Sequence, residues 1–356
     1  MSFHAAVRKP AVMTPTALPQ PLGRPTFCLL PGVRLARNLE SGTPVAVTAD
    51  GRSFTLGMDL ADLCRELAAG PATVDELVCR LAGRGWDDAA VRQGIVALVS
   101  RGLGQRVGRA PVRPKRRWSA LTLGFFDPEP VCRRLGWWAR ALRGGWGLGL
   151  SLVGVAGQIT LLVLLPASAD GPYGAGLVAL ALLAVVIVLH ELAHGVVLAA
   201  AGGHPRRMGL MVVYFLPALF CDVSDAIRLP RQAQVETALA GLAAQCQVGL
   251  LLAPVAWLGG PAPWGVSVFL SLNLVTATAN LLPFLPLDGY IAVAAFLGRP
   301  DLRSRAVGAW RSVLHRRGGG TGPRPWLLVV FGALCQGAPV VVAVVVVVTL
   351  AVRLAF

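Results

Sequence analysis

Leu189-His190-Glu191-Leu192-Ala193-His194-Gly195 sits inside an apolar run that extends from about Tyr173 to Ala201. A run of that length reads as a membrane-crossing helix. An ionisable group at the centre of such a helix costs roughly 2.5–3.5 kcal/mol on insertion scales, so a cluster of three marks a functional site. Residues four apart share one helix face, so His190 and His194 point the same way. The H-E-x-x-H spacing suits a zinc ion held by both imidazoles, with Glu191 placed to act on a water at the metal.

The rest of the chain agrees with a membrane setting. Of 356 residues, 55% are hydrophobic and 14% charged, and the mean hydropathy is +0.63. Ordinary soluble domains carry about 25% charged residues. The formal net charge is +15. Its Arg residues cluster beside apolar runs and no nucleic-acid-binding motif accompanies them, so the basic balance points to an anionic membrane surface and no nucleic acid partner. Seven Cys, an odd number without any C-x-x-C pair, argue against a disulfide framework and a Cys-based metal site. Met1–Phe27 is polar and Pro-rich with no apolar core of a signal peptide, and is expected to be a flexible cytoplasmic arm.

The fold class expected is mainly α: a polytopic α-helical membrane protein of about five spans, with a small N-terminal α+β winged-helix-like domain. The spans are about Gly147–Pro166, Gly174–Ala201, Ala233–Leu258, Gly265–Leu287 running on past Asp288, and Trp326–Val352. Met208–Leu219 is apolar but too short to cross, and reads as a re-entrant or surface-lying segment. Residues 108–146 form a basic connector in which Trp118, Trp137, Trp138 and Trp146 interleave with Arg, as in a headgroup-level segment or interfacial helix. The loops 167–173 and 259–264 hold no Lys or Arg, whereas the connector, Arg206-Arg207 with Arg228–Arg231, and the Arg299–Arg324 loop are basic. The positive-inside rule then puts the N-terminal domain in the cytoplasm and the C-terminus outside a bacterial-type cytoplasmic membrane.

Residues 28–107 read as the soluble domain. Val33–Arg37, Val45–Thr48 and Ser53–Leu56 have strand character, with Asp50-Gly51 as a hairpin turn. Leu60, Leu63, Cys64 and Leu67 then mark a helical face. Thr73 with Glu76 forms a capping box before Leu77 and Leu81, and Asp87 or Asp88 starts a third helix ended by Gly102.

Two His do not complete a catalytic zinc site, which usually takes three protein ligands and keeps one position open. Asp288 is the best third ligand: it is acidic, embedded in apolar sequence, and follows Pro283 and Pro286. Asp222 and Asp225 are rivals, but neighbouring Arg228 suggests a polar surface loop.

His190-Glu191-x-x-His194, together with the pattern from Asn280 through Pro283 to Leu287-Asp288-Gly289, resembles the site-2 protease family of intramembrane zinc metalloproteases. The sequence from Gly289-Tyr290 onward resembles the branch labelled peptide zinc metalloproteases. The resemblance covers roughly residues 147–300. It implies that His190, His194 and Asp288 hold zinc, that Glu191 is the general base, and that Asn280 orients or polarises the substrate carbonyl.

Leu30-Pro31-Gly32-Val33-Arg34, Thr73–Leu77 and Val91 through Leu98 to Leu103 resemble a PqqD-like domain, the recognition element for ribosomally made, modified peptides. That implies a leader peptide bound by strand addition, with Val45–Thr48 and Phe54–Leu56 as candidate edges. The function expected is leader removal or maturation of such a peptide. Two alternatives stay open: regulated cleavage of a membrane-bound signalling factor, and a non-catalytic peptide export or escort subunit. The partners expected are a peptide substrate and the lipid bilayer; the oligomeric state is not legible.

Overall fold

The computed structural model describes residues 25–48, 53–108, 120–164, 175–213, 216–257, 261–299, 301–314 and 326–338. In chain order its elements are strands β1 (Thr26–Leu29), β2 (Arg34–Arg37), β3 (Pro44–Val47) and β4 (Ser53–Thr55), helix α1 (Met58–Ala69), strand β5 (Ala72–Thr73), and helices α2 (Val74–Leu81) and α3 (Asp88–Ser100). Strands β6 (Gly104–Arg106) and β7 (Ala120–Phe126) precede helices α4 (Glu129–Arg134), α5 (Ala139–Leu142), α6 (Gly144–Leu164) and α7 (Ala175–Ala200). Strands β8 (Met208–Val213) and β9 (Leu216–Cys221) lead to helices α8 (Arg231–Leu252), α9 (Pro261–Leu281), α10 (Asp288–Phe296), α11 (Leu302–Leu314) and α12 (Trp326–Ala338). The protein is thus mainly helical with a small N-terminal strand region. It forms two compact units: Met1–Leu30 with Asp62–Val112, and Pro31–Ala61 with Arg113–Phe356. Residues 28–107, expected as one domain, are shared between the two.

In the first unit β1 is the central strand of an antiparallel sheet, order β5-β1-β6. It starts at Thr26, inside the stretch expected as an arm; residues 1–24 lie outside the described residues. The capping box forms as its spacing predicts. Thr73 Oγ1 accepts from the Glu76 N–H at 3.3 Å, and Glu76 Oε2 accepts from the Thr73 N–H at 2.8 Å. Two of the free donors at the helix start are thereby satisfied. Asp87 caps α3 through the Ala90 N–H at 2.7 Å. Leu63, Leu77, Leu81, Val91 and Leu98 are buried from all three helices. A Cβ on Gly94 would fall 2.7 Å from Leu63 Cδ2, so a larger residue there would have to displace that buried side chain.

The second unit begins with the antiparallel meander β2-β3-β4. Val45–Thr48 is therefore no edge, because β3 pairs on both sides; of the two expected edges, only β4 is one. Asp50-Gly51 lies outside the described residues.

Three helical stretches are long and apolar enough to cross a membrane: Gly176–Ala200, Arg231–Val255 and Trp264–Leu281. They suggest a membrane protein, and Leu177, Leu180, Val185, Leu251 and Val275 present their side chains outward from them. Of the two other expected spans, the first corresponds to α6, and the last is described only over Trp326–Ala338. α8 packs against α6, α7 and α10. Its buried face is built of small residues, including Ala233, Ala240, Gly241, Ala244 and Gly249. Small residues let helix backbones close without a hydrophobic drive in lipid.

Three segments differ from expectation. Met208–Leu219, expected as a re-entrant or surface-lying segment too short to cross, takes strand form: β8 and β9 make a hairpin whose β8 edge pairs with β7. A short continuous apolar run carries no period that separates helix from strand, and Pro217 is tolerated because β9 is an edge strand. The basic connector supplies β7 and the short helices α4 and α5 in place of one interfacial helix, with 109–119 outside the described residues. The fourth span ends at Leu281, and Asp288 opens a separate helix. Pro283 and Pro286 cannot carry the helical hydrogen-bond ladder across the gap.

Candidate metal centre

α7 carries His190 and His194 on one face, and both rings are buried. Asp288 is the first residue of α10, where the helix dipole favours a carboxylate. The break after α9 turns this helix start toward α7. Gly289 permits the fold-back, since a Cβ there would lie 2.2 Å from the Leu281 carbonyl oxygen.

The three side chains converge on one point. His190 Nε2 lies 3.0 Å and His194 Nε2 3.4 Å from Asp288 Oδ2, and the two Nε2 atoms are 3.2 Å apart. Around a four-coordinate metal ion, N and O donors about 2.0–2.1 Å out stand about 3.3 Å from one another. The observed spacings scatter around that value.

Proton accounting leads to the same conclusion. His194 Nδ1 lies 2.7 Å from the Thr237 carbonyl oxygen, which can only accept, so Nδ1 carries the proton. His190 Nδ1 faces Gln245 Oε1 at 3.1 Å and donates likewise. The Nε2 atoms of two such neutral rings are bare lone pairs. Asp288 Oδ2 is a buried oxygen without a hydrogen-bond donor. With both rings neutral, three acceptors would face one another, an arrangement that a shared cation satisfies. His190, His194 and Asp288 together can hold a metal ion.

Behind His190 runs a chain of buried amides. Gln245 Nε2 donates to Thr276 Oγ1 at 3.2 Å and Asn273 Oδ1 at 3.4 Å, which sets the orientation of its amide. Asn273 Nδ2 donates to Gln158 Oε1 at 2.9 Å, and Gln158 Nε2 to the Gly154 carbonyl at 3.1 Å. The chain links α6, α8 and α9 to one ligand. Gly241 on α8 faces both rings: a Cβ there would come within 2.5 Å of His190 Nε2 and 2.6 Å of His194 Nε2.

Glu191, His194 and Asp288 line one cavity of about 770 Å³, within the roughly 300–1,000 Å³ usual for ligand sites. The Cys221 N–H at the end of β9 donates to Glu191 Oε2 at 2.9 Å. One oxygen of the Glu191 carboxylate is thus held by the backbone.

The structure joins His190, His194 and Asp288 across about a hundred residues of sequence and sets Glu191 beside them. Asn280 is half-buried near the end of α9, and among the described residues the cavity is lined without it. Asp222 also lines the cavity, but neither it nor Asp225 joins the three converging groups. Asp222 Oδ1 accepts from Ser224, and Asp225 pairs with Arg228 at 3.1 Å. Asp225 is buried, where a surface loop was expected. Sequence reasoning missed Gln158, Gln245 and Asn273, although amides inside apolar spans are a legible signal. Gly241 carried no signal in an Ala-rich helix. Comparison with known protein families, curated proteins and solved structures finds no match to this chain.

Proposed function

We propose that this chain is an intramembrane zinc metalloprotease of the site-2 type that removes the leader from, or otherwise matures, a ribosomally made modified peptide. The observation that carries the reading is the convergence of His190, His194 and Asp288, with Glu191, His194 and Asp288 lining one cavity and the two His and Glu191 on a helix apolar enough to cross a membrane. Two imidazoles and a carboxylate at tetrahedral spacing suit zinc. Zinc supplies Lewis-acid polarisation of a carbonyl and acidifies water.

The chain's own groups do the rest. Glu191 takes a proton from the attacking water and passes it to the leaving amine. The Cys221 N–H keeps the carboxylate aimed while this happens. Gln245 and the Thr237 carbonyl hold the two rings in the tautomer that leaves Nε2 free. Asn280 orients the scissile carbonyl once a substrate segment reaches the gap between α9 and α10. By the positive-inside rule the basic loops favour a site near the cytoplasmic face, where water and a cytoplasmic leader would both reach it. The PqqD-like resemblance supplies the substrate class, and tethering the binder to the protease raises local substrate concentration to the millimolar range for a short linker.

The test is Glu191→Gln in the purified full chain, given a leader-bearing precursor. Processing should fall about 10²–10⁴-fold, the usual weight of a general base, while zinc content stays normal. Unchanged processing would remove Glu191 from the chemistry, and no processing by the wild-type chain would replace the protease with an escort role.

A further inference from the structure

The turn between β2 and β3 is bolted to the start of α8. Asn38 Nδ2 donates to the Ile227 and Leu229 carbonyls, both at 2.8 Å. Its Oδ1 accepts from the N–H groups of Glu40 and Ser41 at 2.9 and 2.8 Å, which folds the turn around the same side chain. The Leu39 N–H donates to the Arg228 carbonyl at 2.8 Å. The Arg231 N–H, a free donor at the first turn of α8, donates to Glu40 Oε2 at 2.6 Å. Asn38 is buried, so every hydrogen-bonding atom of its amide is committed. Loss of those donors would strip the Ile227 carbonyl of its Asn38 partner, while the Leu229 carbonyl would keep the Gln234 Nε2 donor at 2.8 Å; the cost at Ile227 helps to fix the turn in place.

This turn lines the cavity onto which the metal centre opens. Thr43, Val45 and Thr55 line the same cavity as Glu191 and Asp288. Val45 and Thr55 are register partners, so one end of the β2-β3-β4 meander presents a continuous face to the cavity. Most of the remaining lining is apolar, for example Leu219, Phe220 and Ile291.

We propose that the β2–β3 turn is a fixed wall of the cleavage cavity, and that Thr43 on it limits the size of the side chains flanking the scissile bond of an extended, apolar peptide. The inference rests on the proteolytic reading and deepens it: strands from the region resembling a leader-recognition domain also select residues at the cut. An extended segment is required because a helical carbonyl is already hydrogen-bonded and shielded by its own turn.

The test measures binding, so it does not depend on turnover. The zinc-loaded full chain is titrated with two hydroxamates, acetohydroxamate and a leucyl-leucine hydroxamate. In Thr43→Trp the affinity for the dipeptide relative to acetohydroxamate should fall about tenfold or more. In Thr43→Ala the ratio should hold or rise, and in Asn38→Asp, which loses the clamp, discrimination should relax. An unchanged ratio in Thr43→Trp overturns the wall. Failure of the wild-type chain to bind either probe overturns the metal centre and the wall together. Dipeptide discrimination with no precursor processing by the wild-type chain keeps the wall and overturns the protease.

Discussion

Gln245 Oε1 stands 3.1 Å from His190 Nδ1, across the α7–α8 contact and 55 positions away in sequence. The amide is held by Thr276 and Asn273, so its oxygen cannot turn away. Partners of this kind typically carry 10–100-fold in metal affinity. Gln245→Ala should lose that factor, and Gln245→Glu, which keeps an acceptor at the same reach, should recover most of it. Competition with a chelating dye reads the affinity; equal binding by both variants and wild type would remove the amide from the site.

Gly241 leaves no room for a methyl group between α8 and the rings. Carbon contacts are optimal at about 3.5–4.0 Å, and a Cβ would sit about an ångström inside that. Gly241→Ala should displace His190 and His194 from their common point and abolish metal binding while the helices still form. Metal analysis beside circular dichroism separates the two effects; full metal content would show that α8 yields instead.

Metal should also stabilise the helical unit, because the unfolded chain does not gather three ligands from α7 and α10. Binding at 100 times Kd contributes about 2.7 kcal/mol. A chelator should therefore lower the melting temperature of wild type and leave His194→Ala unaffected. An identical chelator response in both would mean that the ion binds elsewhere.

Thr73 governs a local stability in the first unit. Removing an N-cap hydroxyl typically costs about 1 kcal/mol, so Thr73→Ala should destabilise the unit of β1, α2 and α3 by that order. Hydrogen exchange at the amides of α2 reads the change, and exchange as slow as in wild type would argue that the cap is redundant.

His204 and Arg133 hold the Glu129 carboxyl below its ordinary value of about 4.5. His204 Nδ1 lies 3.0 Å and Arg133 Nη2 2.6 Å from Glu129 Oε1, tying α4 to the loop after α7. A lowered folded-state pKa stabilises above the unfolded value and is lost as pH falls through the folded one. The melting difference between wild type and Glu129→Gln should shrink from pH 6 to pH 3. A constant difference would assign the effect to packing.

Much of the site was legible because its signals are local. The i, i+4 spacing of His190 and His194 needs only a helix, and the apolar run supplies one. Asp288 was legible as an acid beside two prolines in apolar sequence. The capping box at Thr73 closes over three residues, so its spacing alone predicts it. The strands at 208–221 were not legible: a six-residue apolar run satisfies either period, and pairing with β7 from about ninety residues earlier decides the outcome. The edge at Val45–Thr48 failed for the same reason, since an edge is defined by what is not beside it.

The sequence by itself determined that an acid and two imidazoles lie in apolar surroundings, because hydropathy and helical period are properties of consecutive residues. Only the tertiary structure decided that Asp288 meets them, that Gln245 sets the tautomer of His190, and that the turn at Asn38 closes one side of the cavity. Each of these depends on how far apart two backbones settle when their facing side chains are small, and that distance is fixed by packing between elements remote along the chain.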